Sequence, residues 1–339
     1  MIHDVAIIGG GPVGIFSVFA NGMQSLSCVL IDAFDQLGGQ CMCLYPEKYI
    51  YDIPAFPKIT GKELIENLKT QAFAFKPTIE LNSFVMNVTK KDEIFELEVQ
   101  NTCDASEKKI VKARSIMVAL GSGIFKPLKL PLLEAQKFEN SNILYFLNDL
   151  SIFQDKCVTI AGGGDSAVDW ALMLSDVASC VYLVHRREYI KAHPSSWEQI
   201  QQKAADGKIV IKIPYAISQI NEVDGKFTGI SIKNESQEEF LKCDYLLPCF
   251  GLKSDLEFVN KWNLDLEKGR ISVDQSTMST SYRGIYALGD CVEYPGKRKL
   301  IVTGFSEAMQ AAVNIRSFLY PDRAPVIGHS TTVGIPQLG

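Results

Sequence analysis

Residues 5–32 read VAIIGGGPVGIFSVFANGMQSLSCVLID, and residues 158–185 read VTIAGGGDSAVDWALMLSDVASCVYLVH. Each stretch is a short apolar run, a glycine turn, a helical segment and a second apolar run. That order is a β-α-β unit, and the chain writes it twice at an offset of 153 residues. The internal spacing repeats as well: Gly9 to Asp32 spans 23 residues, and so does Gly162 to His185. The repeat predicts an α/β chain with two Rossmann-like units.

In the first unit, Gly9-x-Gly11-x-x-Gly14 follows the strand and opens the helix. The first glycine makes the tight turn. The second lets a pyrophosphate touch the backbone, and the third lets helix and strand approach. Free N–H groups at the helix start face the anion. Asp32 closes the second strand, where a carboxylate accepts hydrogen bonds from ribose hydroxyls and repels a 2′-phosphate. This site suits FAD or NAD rather than NADP.

The second unit repeats the loop as Gly162-x-Gly164-x-x-Ala167, with Asp165 and Ser166 between. At its strand end His185 replaces the acid, and Arg186 and Arg187 follow, with Lys191 a turn further on. Guanidinium groups there can hold a 2′-phosphate through charge-assisted, often bidentate hydrogen bonds. This unit is therefore expected to bind NADP(H). Two different dinucleotide sites in one chain imply hydride traffic between a flavin and a nicotinamide.

The chain has 339 residues, 47% apolar and 22% charged, enough for about two domains of ordinary size. Its 34 Lys and Arg against 39 Asp and Glu leave a charge of −5, a poor match for nucleic acid or an anionic membrane. No run reaches the roughly 20 apolar residues of a membrane helix. The N-terminal apolar run is interrupted by glycines and Pro12 and lacks a basic leader, so no signal peptide is expected. Nine cysteines without a C-x-x-C pair suggest reduced thiols in a cytoplasmic protein. The four histidines show no metal-ligand spacing, and no metal is expected. Thr60 and Glu63 form a capping box ahead of a helix with Leu64, Ile65, Leu68 and Ala72 on one face. Phe95, Leu97 and Val99 alternate with Glu96 and Glu98 as a half-exposed strand, and Asp224-Gly225 predicts a hairpin. The polar stretch 100–109 reads as a surface loop, and short strands are expected to connect the domains.

The stretches IIGGGPVG (7–14), QLGGQ (36–40), LYPEKYIYDI (44–53), GSGIFKP (121–127), AGGGDSAVDWALML (161–174), HRRE (185–188), YALGD (286–290) and HST (329–331) together span nearly the whole chain. In these the chain resembles the thioredoxin-reductase-like ferredoxin–NADP⁺ reductases, a flavoprotein family. The resemblance implies a homodimer with an NADPH domain (123–250) inserted into an FAD domain (1–122 and 251–339). It implies hydride transfer between NADP(H) and FAD, then single-electron exchange with ferredoxin or flavodoxin. It places Asp32 on the adenosine ribose, where the family usually has Glu, and Gln40 along the flavin. Tyr45 would stack on the isoalloxazine ring and His329 would cover its other face. Val85 would lie on the adenine side and Phe125 near the chain crossover. Asp290 would bind a ribityl hydroxyl, and Thr331 would offer a hydroxyl near the flavin. A helix start from Gly304 onward is also expected to meet the flavin. No general acid or base is required.

Thioredoxin reductases carry C-x-x-C just before the second glycine strand, where this chain has Leu144–Leu150 without cysteine. Electrons must therefore leave the flavin directly. Cys41 and Cys43 follow a glycine turn, but one intervening residue makes a strained disulfide. They are expected to be thiols packed near the flavin, as is Cys291. The rival readings are a disulfide reductase using Cys41 and Cys43, and a non-catalytic NADPH-binding redox sensor. An acidic carrier protein would need a basic docking patch. Lys297-Arg298-Lys299, joined by Lys126 and Lys129, is the expected one.

Overall fold

The structure, a computed structural model, describes residues 1–145, 147, 149–323, 331 and 334–335, without the side chains of 124–126, 252–255 and 257. The chain divides into two compact units, residues 1–125 with 254–339, and residues 126–253.

The first unit opens with β1 (Ile2–Ile8), α1 (Pro12–Met23) and β2 (Cys28–Ile31). The strands are parallel, with Val5 opposite Cys28 and Ile8 opposite Ile31. Val5–Ile8 and all of β2 are buried, which is why both runs are apolar without alternation: a parallel strand is covered on both faces. A single-turn helix α2 (Gln40–Cys43) precedes α3 (Gly61–Phe73). The expected capping box starts α3. Thr60 Oγ1 accepts the Glu63 N–H at 3.2 Å, and Glu63 Oε2 accepts the Thr60 N–H at 2.9 Å. Leu64, Ile65, Leu68 and Ala72 are its buried face.

Beyond β3 (Thr78–Glu80), the strands β4 (Ser83–Lys91), β5 (Ile94–Asn101) and β6 (Lys108–Val118) form an antiparallel meander. Phe95, Leu97 and Val99 point into the core and Glu98 outward, as the alternation requires. The loop expected over 100–109 is shorter than its polarity suggested. Gln100 pairs with Lys108 across the β5–β6 ladder, so only 102–107 lies outside the strands. Exposed strand ends carry polar residues as readily as loops do. The sheet runs β3-β2-β1-β6-β5-β4.

In the second unit, β7 (Cys157–Ala161), α4 (Asp165–Leu174) and β8 (Cys180–Val184) repeat the motif. Cys157 lies opposite Cys180, the same 23-residue register as Val5 and Cys28. After α5 (Pro194–Ala205), β9 (Ile209–Lys212) extends this parallel sheet on one side. β10 (Ala216–Val223), β11 (Lys226–Lys233) and β12 (Glu238–Lys242) form a separate antiparallel sheet. Asp224 and Gly225 turn the β10–β11 hairpin at φ +50° and +76°, the left-handed pair of a primed turn. β13 (Tyr245–Pro248) closes the parallel sheet beside β7.

Back in the first unit, β14 (Ile285–Ala287) pairs with Ile116–Val118 of β6, and α6 (Ile301–Leu319) packs against α1. The chain passes between the units through the strands Ile124–Pro127 and Leu252–Asp255.

Candidate functional site

The three glycines of the first loop divide their work as the motif requires. A Cβ on Gly9, at φ +107°, would stand 2.4 Å from the Ala119 carbonyl oxygen, and one on Gly14 would stand 1.8 Å from the Gly9 oxygen. Those two are needed by the fold. A Cβ on Gly11 would meet nothing within 4 Å, because Gly11 lines a cavity of about 410 Å³. Gly11 caps α1 without a side-chain hydrogen bond, and Pro12 follows it. The first-turn N–H groups are thus left for an anion.

Asp32 ends β2 at the same cavity and is only 7% exposed. Its carboxylate accepts the Phe34 N–H at 2.8 Å and also the Gly10 N–H. Burial raises its pKa above the ordinary carboxylate value, against the opposing pull of these two N–H groups. Each oxygen keeps a further lone pair for a ribose hydroxyl. Gln40, Tyr45, Val85 and Asp290 line the same cavity. Cys41, fully buried, donates its thiol to the Tyr45 hydroxyl at 3.7 Å. Burial pushes the Tyr45 phenol well above its ordinary pKa, so it stays protonated. Burial also pushes Cys41 and Cys43 up to about 11. Both are free thiols on α2, two residues apart, a spacing that puts them on different faces of a helix. Cys291 is fully buried against the Leu288 carbonyl at 3.1 Å.

Asp290 sits in a short turn, Gly289–Cys291, after β14. The expectation of a helix start at Gly304 is corrected: α6 begins at Ile301, and Lys299, Leu300 and Ile301 line the cavity. Gly304 instead lets α6 approach α1, since a Cβ there would stand 2.4 Å from Val13. The basic run is corrected too. Lys297 has a 2% exposed side chain paired with Glu307, while Arg298 and Lys299 are exposed. Lys129 is paired with Glu139 at 2.5 Å. Glu307 was missed by sequence reasoning. Its signal was an acid within the buried stripe of Gly304, Ala308, Ala311 and Ile315.

The second loop has the same construction. A Cβ on Gly162 would stand 2.5 Å from the Cys249 carbonyl oxygen, while one on Gly164 would meet nothing within 4 Å. Ala167 fits the third place because its Cβ faces Gly162. Gly164 caps α4. The Asp165 carboxylate accepts the His193 N–H at 2.9 Å, and Ser166 is exposed. The His185 ring lies under Gly163, and burial lowers its pKa. Arg186, Arg187 and Lys191 are exposed, and the Lys191 N–H binds the Gly163 carbonyl at 2.7 Å, folding the basic turn back onto the loop. Thr331 is exposed. His329 and the Phe125 side chain lie outside the described residues.

Two phosphate-type glycine loops, one acidic and one basic at the strand end, define a pyridine-nucleotide flavoprotein architecture. The chain belongs to the pyridine nucleotide-disulphide oxidoreductase family, whose pattern matches residues 3–314. A protein of Anaplasma phagocytophilum (strain HZ) named ferredoxin–NADP reductase is 41% identical over 339 residues, covering 99% of this chain and 98% of that protein. A Rickettsia felis protein of the same name is 43% identical over 330 residues, 97% of each chain. Among solved structures, thioredoxin reductase from T. acidophilum superposes with a TM-score of 0.74 at 21% identity, over 93% of this chain and 98% of that one. The Lactococcus lactis thioredoxin reductase gives 0.73 at 23% identity, over 94% and 99%. These structures share the two-domain fold.

Proposed function

We propose that this chain is a ferredoxin (or flavodoxin)–NADP⁺ reductase that holds FAD in the first unit and NADP(H) in the second. One observation carries the reading. Two βαβ units of identical register end in opposite charge, Asp32 in one and Arg186 with Arg187 in the other. Bound FAD supplies two-electron exchange with a nicotinamide and one-electron exchange with a carrier. The residues bind and orient. The first-turn N–H groups of α1 take the pyrophosphate, and Asp32 takes the adenosine ribose. Val85 packs on the adenine side, and Tyr45 and Gln40 flank the flavin. Asp290 takes a ribityl hydroxyl. In the second unit, the N-terminus of α4 takes the NADP pyrophosphate and the two arginines take the 2′-phosphate. Alignment and exclusion of water are what the protein contributes. The same reading makes the chain a cytoplasmic homodimer.

The cavity fits that cofactor, with an open glycine backbone at one place and a buried carboxylate at another. The stretch 144–150 carries no cysteine, and the Cys41 and Cys43 thiols are held in the protonated state. A disulfide relay through them is disfavoured, since the thiolate is the reactive form.

The test is stopped-flow reduction of the purified yellow protein by NADPH against NADH, followed by transfer to ferredoxin. Rapid bleaching by NADPH and turnover with ferredoxin are expected. The variant Cys41→Ser with Cys43→Ser keeps NADPH-diaphorase activity. Loss of turnover with the carrier while NADPH still bleaches the flavin would return the disulfide-reductase reading.

A further inference from the structure

Glu307 is 3% exposed on α6, beneath the turn that carries Asp290. Its Oε2 accepts the Gly289 N–H at 2.7 Å. Its Oε1 accepts the Tyr294 hydroxyl at 2.5 Å and the Lys297 ammonium. The Lys297 and Glu307 side chains are 2% and 4% exposed, so this is a buried ion pair. Such a pair contributes little net stability, because desolvation offsets the attraction. Its placement is informative instead. Gly289 holds φ +77°, a conformation that favours glycine, and the next residue is Asp290. The Arg270 guanidinium donates to the Asp290 carbonyl. The turn is therefore fixed through backbone atoms, from Glu307 and from Arg270. The Asp290 carboxylate lines the cavity and accepts no hydrogen bond among the described residues. Lys297 also tethers the stretch leading to Lys299, Leu300 and Ile301, which line the same cavity.

We infer that Glu307 is a positioning residue for the cofactor site: its hydrogen bond to Gly289 sets the Asp290 carboxylate at the cavity, and Lys297 neutralises the buried charge this requires. The inference rests on the reading that the cavity holds FAD. Deleting either charge alone strands the other in the interior, so single variants confound positioning with misfolding. Two charge-balanced pairs separate them. Lys297→Met with Glu307→Gln keeps an acceptor for the Gly289 N–H. Lys297→Met with Glu307→Leu removes it.

Apoprotein is titrated with FAD by flavin fluorescence, and visible spectra are recorded at saturation. The glutamine pair is expected to bind within about threefold of the parent. The leucine pair is expected to bind about tenfold or more weakly, the scale of one hydrogen bond to a charged group, with its flavin bands displaced. Equal affinity and identical spectra for the two pairs would overturn the inference. If circular dichroism shows the leucine pair unfolded, Lys297→Met with Glu307→Met takes its place under the same two outcomes. A parent protein that does not bind FAD would sink the cofactor reading rather than the role of Glu307.

Discussion

His185 packs against Gly163, so closely that a Cβ on the glycine would stand 2.4 Å from the ring. In the first unit Asp32 occupies the matching place against Gly10 and accepts its N–H. Each strand end thus props up the middle glycine of its own loop. Burial lowers the pKa of the His185 ring, and the neighbouring arginines act in the same direction. Arg186 and Arg187 are exposed beside it, which is why the proposed function gives them the 2′-phosphate.

Replacing both arginines with alanine is expected to weaken NADPH binding by about 2 kcal/mol, ~30-fold. Both arginines are exposed, and solvent screening holds the loss to that scale. NADH binding stays as it was. Titration with both nucleotides measures this, and an equal loss for the two would show that the arginines do not read the phosphate.

The glycines of the first loop separate folding from binding. Gly11→Ala is expected to leave the melting temperature of the apoprotein nearly unchanged and to abolish tight FAD retention, because its Cβ points into open space. Gly14→Ala drives a methyl into the Gly9 oxygen and is expected to cost about 3 kcal/mol or more of stability. Thermal melts and flavin absorbance together check both. A flavin-replete Gly11→Ala protein would remove the cavity's loop from the site.

Adjacent basic residues are expected to behave oppositely. Lys297→Glu buries a second carboxylate beside Glu307 and is expected to lose about 3–5 kcal/mol. Arg298→Glu, on the surface, is expected to change stability by about 0.5 kcal/mol or less. Denaturant melts that treat the two alike would contradict the buried pair.

Asp4 makes the acid limb of the stability curve testable. Burial raises its pKa, but hydrogen bonds from Ser27, Tyr320 and Arg114 outweigh that, and the net shift is downward from 3.8. A depressed carboxylate stabilises the fold above its unfolded pKa and loses that contribution as pH falls through the folded one. Asp4→Asn is therefore expected to melt about 2–4 °C lower at pH 7, on the scale of one hydrogen bond. The gap to the parent should close as pH falls below 3.8. A gap that persists unchanged in acid would mean that the charge is not what stabilises the cluster.

The sequence by itself determined the two βαβ units, the division of labour among Gly9, Gly11 and Gly14, the capping box at Thr60 and the hairpin at Asp224. These rest on short-range rules: the periods of strand and helix, and the steric freedom of glycine, act within a few residues or across one motif of fixed length. Only the tertiary structure decided which charges face water. Lys297, Arg298 and Lys299 are alike in sequence, yet Lys297 is buried because Glu307 on the following helix lies beneath it. Asp165 of the second loop is tied by its carboxylate to the backbone of His193, 28 positions on, a link the loop motif does not announce. His185 stands in line with Arg186 and Arg187 in sequence, but its ring lies under Gly163 while the two arginines are exposed. A charge or ring takes its state from the groups that surround it, and those arrive from distant parts of the chain only when the sheet and helices pack.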